Sequence, residues 1–292
     1  MLYLRRFQLP EEAAEWHFLA NAPESKRTCY GSRYPFGFFP PKQVPTLTFA
    51  PITILCGGNG SGKTTLLNLI GQSLSLPRKA VYNRSAFFDN YLHLCTSETV
   101  ASFTSTVRQR SRVITSDDVF DYLLDLRCMN EGIDVRRREL LAEYAEKRHA
   151  ELHFDSLADL DALRDTVDAQ RKSGSQYVRS RITNDVPEKS NGESAFLYFT
   201  REIGQEALYL LDEPENSLSA QLQLELKQFL EDSVRFYGCQ LVIATHSPFL
   251  LSLKDAEIYD LDRVPVSRCR WTELENVRTF YEFFQAHQRE FS

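Results

Sequence analysis

The stretch ITILCGGNGSGKTTLLNLI constrains the fold of this chain more than any other. It opens with an apolar run rich in β-branched residues, Ile52–Cys56, which is typical of a strand buried on both faces. The next residues, from Gly57 to Thr64, fit the GxxxxGK(S/T) pattern of a phosphate-binding loop, and a helical pattern follows them. Because strand, loop and helix occur in this order, the stretch predicts a phosphate site rather than an ordinary glycine-rich turn.

Each part of this loop has a defined chemical role. The glycines let the backbone wrap around phosphate groups with its amides pointing inward, and the positive end of the following helix adds to the attraction. Lys63 brings a positive charge to the β- and γ-phosphates, and the Thr64 hydroxyl is the predicted magnesium ligand. The predicted nucleotide-binding set in this loop is Gly57, Gly58, Asn59, Gly60, Ser61, Gly62, Lys63, Thr64 and Thr65.

A second predicted strand, Ala207–Leu211, runs into the acidic sequence DEPE. A carboxylate at the end of a buried parallel strand beside a phosphate loop is placed to hold magnesium, usually through water. We assign that role to Asp212. Glu213, the adjacent acid, is the candidate that orients or deprotonates the attacking water. The alternative is an acidic turn that ends a strand at a proline.

A third predicted strand, Gln240–Ala244, is followed by THSP. A histidine at the carboxyl end of a strand in the same sheet lies at the edge where ligands of doubly wound folds bind. We therefore predict that His246 hydrogen-bonds the γ-phosphate or the attacking water. The alternative is a structural histidine.

Composition limits the class of protein. The chain of 292 residues can form one large α/β domain, and it has no apolar stretch near the ~18 residues of a membrane span. Its first residues, MLYLRRFQLPEE, lack the apolar core of a signal peptide, so a cytoplasmic location is expected. The six cysteines form no CxxC pair, which favours reduced thiols. A net charge of −6 disfavours nonspecific nucleic-acid binding by the whole surface.

Together these motifs resemble the ABC-type ATPase superfamily, and within it the non-transporter, stand-alone branch of SMC-like, RecF-like and OLD-like ATPases. GGNGSGKTT resembles the Walker A motif, LYLLDEPENSL the Walker B motif and D-loop, and ATHSPFLL the histidine switch. The resemblance implies an α/β P-loop NTPase fold. Its ABC-type head would have a mostly parallel core sheet, an antiparallel N-terminal β portion and an inserted helical lobe. The implied cofactors are ATP and Mg²⁺.

The same resemblance gives a role to SNGES, which occupies the place of the family's signature loop. Its residues Ser190, Asn191, Gly192 and Glu193 fit an S-x-G-E form, with Asn191 standing where glycine is commoner. In the family this element faces the γ-phosphate held by another subunit, so the resemblance implies a homodimer that sandwiches two ATP molecules. The alternative is a polar turn before an ordinary helix.

We predict one ABC-type ATPase domain, 1–292, with four parts. Residues 1–115 form the N-terminal β portion and the Walker A part of the core, and residues 116–189 form the helical lobe. Residues 190–270 carry the signature, Walker B and histidine switch, and residues 271–292 form a C-terminal helix with a Thr272/Glu275 capping box. Its apolar side chains, which include Tyr281, Phe284 and Phe291, are expected to pack in the core or, if exposed, to meet a partner.

Three helices are predicted for the helical lobe. The first begins at Ser116 and ends at Gly132, the second runs from Val135 to about His153, and the third runs over 157–172. The family's glutamine loop has two candidates, Gln109 and the group 116–118. For the adenine base, Tyr30, Tyr34, Phe36 and Phe38 are stacking candidates, with packing under a long loop as the alternative.

The predicted function is ATP binding and hydrolysis coupled to dimerisation of the head, with a protein or DNA partner that the residues do not identify. The resemblance implies that stand-alone heads often serve DNA maintenance or defence against mobile DNA. Two alternatives stay open, the ATP-binding subunit of an ABC transporter and a nucleotide-gated assembly module with little turnover.

Overall fold

The computed structural model describes residues 1–27, 29–82, 84–150, 160–182 and 190–291. The chain forms two compact units, one of Met1–Val119 with Asn191–Ser292 and one of Phe120–Ser190. Within the described residues the strands are β1 Leu4–Gln8, β2 Leu47–Thr48, β3 Ile52–Cys56, β4 Thr96–Thr99, β5 Arg112–Thr115, β6 Leu208–Asp212, β7 Gln240–Ala244, β8 Glu257–Asp260 and β9 Ser267–Cys269. The helices are α1 Glu12–Asn21, α2 Lys63–Ser73, α3 Phe88–Leu94, α4 Ser105–Arg110, α5 Ser116–Arg148, α6 Leu160–Arg171, α7 Gly174–Arg179, α8 Asn191–Glu202, α9 Ala220–Tyr237, α10 Pro248–Leu251 and α11 Glu275–Ala286.

The first unit is built on a six-stranded sheet with the order β5-β6-β7-β3-β8-β9. Every pair in it is parallel except β8 with β9, which are antiparallel at the edge. Every residue of β3, β6 and β7 is buried, as expected for parallel strands covered on both faces. The predicted α/β fold with a mostly parallel core sheet is confirmed.

A smaller antiparallel sheet, with the order β2-β1-β4, forms the predicted N-terminal β portion. The buried Gln240 side chain on β7 connects it to the large sheet. Its Oε1 accepts from the amides of Tyr3 and Leu4 at 2.7 and 2.8 Å, and its Nε2 donates to the carbonyls of Leu4 and Ala50 at 2.9 and 3.1 Å. A buried amide with all of these bonds made joins the two sheets at no desolvation penalty.

The second unit is helical where it is described, and it has a hydrophobic core cluster of Leu140, Tyr144, Ala169, Tyr177 and Val178. One part of its prediction was wrong, because α5 continues through Gly132 as a single helix of 33 residues. A lone glycine costs a helix only about 1 kcal/mol, and the segment RRRELLAE that follows shortly after this one is rich in good helix formers and contains no proline. The predicted helix ends at His153 and at 157 lie outside the described residues.

The C-terminal helix α11 also differs from its prediction. It begins at Glu275 after a short 3₁₀ helix, Trp271–Glu273, and Leu274 at its N-cap makes no side-chain cap, so the predicted Thr272/Glu275 capping box is absent from this described segment. Val277 is buried, but Tyr281, Phe284 and Phe291 are exposed. The predicted core packing is therefore wrong for these aromatic residues, because no described element covers that face of the helix.

Searching the described residues finds no helix that is both long and apolar enough to cross a membrane. The proposed subdivision of the chain into four parts stays a prediction.

The continuity of α5 is testable with two glycines in opposite environments. A methyl group added at Gly132 would meet nothing within 4 Å, so Gly132→Ala should raise the free energy of unfolding by about 0.5–1 kcal/mol. Gly238 ends α9 with a left-handed φ of 67°, so Gly238→Ala should lower it by about 1 kcal/mol. Urea denaturation followed by circular dichroism measures both, and a loss of stability in Gly132→Ala would contradict a continuous helix.

Candidate nucleotide site

The site lies at the carboxyl edge of the large sheet, and strand register brings its parts together. Leu55 of β3 and Asp212 of β6 both pair with Ala244 of β7. Thr115 of β5 pairs in turn with Asp212. The loops that follow these strands therefore start at one level, where ligands of such folds bind.

The loop after β3 has a backbone that needs glycine. Gly60 and Gly62 have φ of 78° and 99°, which L side chains rarely adopt. A Cβ at Gly62 would also lie 2.5 Å from the Phe38 ring, and a Cβ at Gly57 would lie 2.6 Å from Ser61 Oγ. A side chain at Gly57 would therefore collide with Ser61, and a side chain at Gly62 would collide with Phe38.

Lys63, the first residue of α2, is almost fully buried at the mouth of this loop. Its Nζ donates to the carbonyls of Gly57 and Gly58 at 2.7 and 3.0 Å and lies 3.8 Å from Glu213 Oε1. A pocket of about 390 Å³ adjoins it, lined by Tyr34, Phe38, loop residues 59–65 and Glu213. The glycine backbone and the lysine charge have the chemistry that a polyphosphate requires.

Asp212 and Thr64 form the predicted metal pair. The Thr64 hydroxyl donates to Asp212 Oδ1 at 3.1 Å, and Asp212 is 8% exposed. Burial, with a smaller contribution from the negative charge of Glu213, raises the pKa of the Asp212 carboxyl to about 6, while the Thr64 hydrogen bond opposes the rise. A hydroxyl and a carboxylate side by side are the oxygen ligands that Mg²⁺ prefers, so the donor set fits this metal.

Glu213 and His246, the predicted catalytic residues, also meet. Glu213 has a left-handed φ of 47°, and its amide donates to the Ala244 carbonyl at 2.8 Å, which turns the chain sharply after β6. His246 Nδ1 lies 3.7 Å from Glu213 Oε1. Asn216 Nδ2 holds the other oxygen of Glu213 at 3.2 Å. The acid therefore lies between Lys63 and the imidazole, next to the phosphate-loop pocket.

The signature residues lie elsewhere. Asn191, Gly192 and Glu193 form the first turn of α8, so these residues are helical and do not form a loop before the helix. A Cβ on Gly192 would lie 2.8 Å from Leu222 and 3.1 Å from the Ser217 carbonyl, which shows why glycine allows α8 to approach α9. Of the described residues that line the phosphate-loop pocket, none comes from 191–193.

The aromatic loop before β2 separates into two groups. Phe36 stacks on Phe18 at 4.9 Å between ring centroids and belongs to the core, and Tyr30 packs against Phe87. Tyr34 and Phe38 line the phosphate-loop pocket, and the Tyr34 hydroxyl is hydrogen-bonded to the Thr65 hydroxyl. This leaves two of the four stacking candidates at the site.

For the glutamine loop, strand direction distinguishes the two candidates. Gln109 lies on α4, which precedes β5, and is therefore at the opposite edge of the sheet from the site. Ser116 follows Thr115, whose partner is Asp212. Asp118 is buried and accepts from the amides of Thr115 and Ala80 at 2.7 and 2.8 Å, so its carboxylate organises the backbone there.

Three contacts at the site were not predicted. Glu215 is buried beside the His246 loop, Asp262 accepts from the Gly58 amide at 2.7 Å, and Asn276 of α11 donates to the His246 carbonyl at 2.9 Å. Glu215 has a signal in the sequence, because DEPE carries an acid after the proline. The other two contacts join residues that are 204 and 30 positions apart in the sequence, respectively. No local sequence pattern predicts them.

The fold and this site define an ABC-type ATPase. A sequence profile of the ABC transporter family matches residues 46–216, more than half of the chain. The chain therefore belongs to the ABC transporter family. A second profile, for an AAA domain whose description names the AbiEii toxin of type IV TA systems, matches residues 190–252.

Individual relatives are distant. The lipoprotein-releasing system ATP-binding protein LolD of Bacteroides fragilis strain YCH46 is 23% identical over 217 residues, which cover 74% of this chain and 88% of that protein. A metal-chelate type ABC transporter in an inward-facing conformation matches with 14% identity and a TM-score of 0.37, over 79% of this chain and 76% of that one. The ATP-binding cassette MJ0796, as a dimer bound to ADP and Pi, matches with 14% identity and a TM-score of 0.36, over 77% and 88%.

The raised pKa of Asp212 predicts the effect of a substitution on stability. Because the folded pKa, about 6, lies above the usual value of 3.8, ionisation of Asp212 opposes folding increasingly from pH 4 to pH 6, and fully above that. Asp212→Asn removes this cost, so it should raise the free energy of unfolding at pH 7.5 by about 1–3 kcal/mol and make little difference at pH 4. Denaturation without magnesium or nucleotide measures it, and a destabilisation that is equal at both pH values would contradict this account.

Proposed function

We propose that this chain binds ATP with Mg²⁺ and hydrolyses ATP to ADP and phosphate. The observation that supports this proposal most directly is that one lysine and two pairs of polar side chains lie close together at one edge of the sheet. These are the lysine of the glycine loop, the Thr64–Asp212 pair and the Glu213–His246 pair. A phosphate loop alone would support binding only, whereas an acid held beside it supports activation of water.

Each residue has a distinct task in this proposal. Mg²⁺, when bound, would neutralise phosphate charge, and Thr64 and Asp212 would hold it. Lys63 would exchange the carbonyls of Gly57 and Gly58 for phosphate oxygens, which accept more strongly because they are charged. Glu213 would take a proton from the attacking water. His246, on its other side, would hydrogen-bond that water or the γ-phosphate.

The second part of the proposal is a homodimer joined by nucleotide. The signature residues 191–193 lie in the first turn of α8, and helix N-termini attract anions. The described lining of the chain's own phosphate-loop pocket does not include them, and we propose that they contact the nucleotide held by a second subunit. Losing the γ-phosphate would then remove the contact that holds the dimer together.

The partner driven by this dimer is proposed to be a protein. The exposed aromatic residues of α11 support this, because large apolar patches on a surface commonly mark interaction sites. A membrane transporter is the candidate favoured by the family profile and by the similarity to LolD. The comparisons give no support to DNA maintenance. A cytoplasmic location belongs to the same proposal.

ATP-dependent dimerisation is measured directly by light scattering. With Mg²⁺ and ATP, Glu213→Gln should show twice the monomer mass of 33.7 kDa, and with ADP it should be monomeric, because the substitution keeps binding and blocks turnover. Wild type should dimerise only until its ATP is spent. A mass that never responds to ATP would contradict the sandwich for the isolated chain and would leave hydrolysis to be judged by phosphate release.

A charge placed in the signature tests its role in trans. In the Glu213→Gln background, Ser190→Arg should prevent the ATP-dependent dimer while fluorescent ATP still binds to the monomer. Gln228→Arg adds the same charge on an exposed position of α9 and should dimerise normally. If Ser190→Arg dimerises as well as Gln228→Arg does, the signature is not part of the interface.

A further inference from the structure

Glu215 is a buried carboxylate to which no role has yet been given. It is 6% exposed and follows Pro214 in the DEPE sequence. Its Oε1 accepts from the Thr245 hydroxyl at 2.6 Å, from the His246 amide at 3.0 Å and from the Ser247 amide at 3.2 Å. One oxygen therefore fixes three consecutive residues of the loop that carries His246.

The same oxygen also faces the imidazole ring. His246 Nδ1 lies 3.4 Å from Glu215 Oε1, closer than its 3.7 Å distance to Glu213. The ring is half exposed and lines a cavity of about 750 Å³ that Gly57, Gly58 and Asn59 line too. Because carboxylates occupy the Nδ1 side of the ring, Nε2 is the nitrogen left for contacts in that cavity.

The charge of Glu215 is more than the loop requires. Amide and hydroxyl donors would be satisfied by an uncharged acceptor such as a glutamine oxygen. The second oxygen, Oε2, is buried and has no hydrogen-bond partner among the described residues. An incompletely satisfied buried carboxylate is costly, so we look for a use for its charge, and it faces the His246 imidazole at 3.4 Å.

We propose that Glu215 is a positioning residue for ATP hydrolysis. Its carboxylate fixes the His246 loop and orients the ring through Nδ1, so that Nε2 meets the nucleotide. This role rests on the proposed ATPase function, and Glu215 itself contacts neither nucleotide nor metal. Because it acts through His246, its substitution should have no further effect on hydrolysis once His246 has been removed.

The test is a double-mutant cycle on steady-state hydrolysis of Mg-ATP. Glu215→Gln keeps the shape and the acceptor at Oε1 but loses the charge. It should lower kcat about tenfold while KM changes less than about twofold. His246→Ala should lower kcat about a hundredfold. The double variant should be no slower than His246→Ala alone, because a positioning residue has nothing left to position.

Thr245→Val is the matched control for a purely structural role. It removes one of the three donors that Glu215 holds and leaves the carboxylate and the ring in place, so its loss of kcat should be smaller than that of Glu215→Gln, whereas a purely structural role predicts a loss at least as large. Circular dichroism melting curves verify that each variant is folded. If Glu215→Gln does not fold, the same cycle is measured with Glu215→Asp, which keeps the charge but moves it away from Nδ1; it should lower kcat in the wild-type background and add no further loss to His246→Ala.

The outcomes separate this proposal from the ATPase proposal. Losses that multiply in the double variant would overturn the positioning role, because Glu215 would then act independently of His246. An unchanged kcat in Glu215→Gln, or in His246→Ala, would also overturn it while hydrolysis by wild type stands. No turnover by folded wild type would contradict the ATPase function itself and this role with it.

Discussion

The parallel hydrogen-bond ladder that joins β6, β7 and β3 is the interaction on which the rest of the structure depends. Its register places Leu55, Asp212 and Ala244 at one level, so three loops with different chemistry begin within reach of one another. A slip of one residue would turn the side chains of a strand to the other face of the sheet. Because these strands are buried on both faces, such a slip would disrupt the close packing of side chains on either side of the sheet.

The second constraint is electrostatic, and it follows from the first. Collecting Asp212, Glu213 and Glu215 at one edge puts like charges close together in a region of low exposure, which costs free energy. Lys63 and a network of hydrogen-bond donors offset part of this cost, but the pKa of Asp212 stays raised, mainly because of burial and to a smaller extent because of the charge of Glu213. A bound Mg²⁺ would reduce the repulsion between these carboxylates. Because the ion would bind the folded chain and not the unfolded one, metal binding would also raise the free energy of unfolding.

Local sequence patterns predicted the central sheet, since an apolar run followed by glycines, acids or a histidine is typical of a strand and the loop after it. The roles of the candidate site residues stay predictions, although the fold places Lys63, Asp212 and His246 at one edge of that sheet. β7 was predicted with its observed ends, whereas β6 is shifted by one residue from the predicted Ala207–Leu211, to Leu208–Asp212. Single residues and short motifs, whose meaning depends on the surrounding fold, predicted the structure less well. Gly132 did not end a helix, the signature entered α8 instead of preceding it, and the aromatic residues of α11 stayed outside the core. Contacts such as that of Glu215 with the His246 loop, or of Gln240 with β1, join distant parts of the chain and have no period to detect.

The central claim is that the loops after β3, β6 and β7 form one site for a metal-bound nucleotide. Its most direct test is electron paramagnetic resonance of Mn²⁺ as a substitute for Mg²⁺, titrated into the protein with and without ATP. The account predicts a protein-bound Mn²⁺ signal that requires ATP in wild type, and a loss of Mn²⁺ affinity of at least about tenfold in Thr64→Val and in Asp212→Asn. Fluorescent ATP should still bind to both variants. Unchanged Mn²⁺ affinity in both folded variants would contradict the account, because the metal would then be held elsewhere.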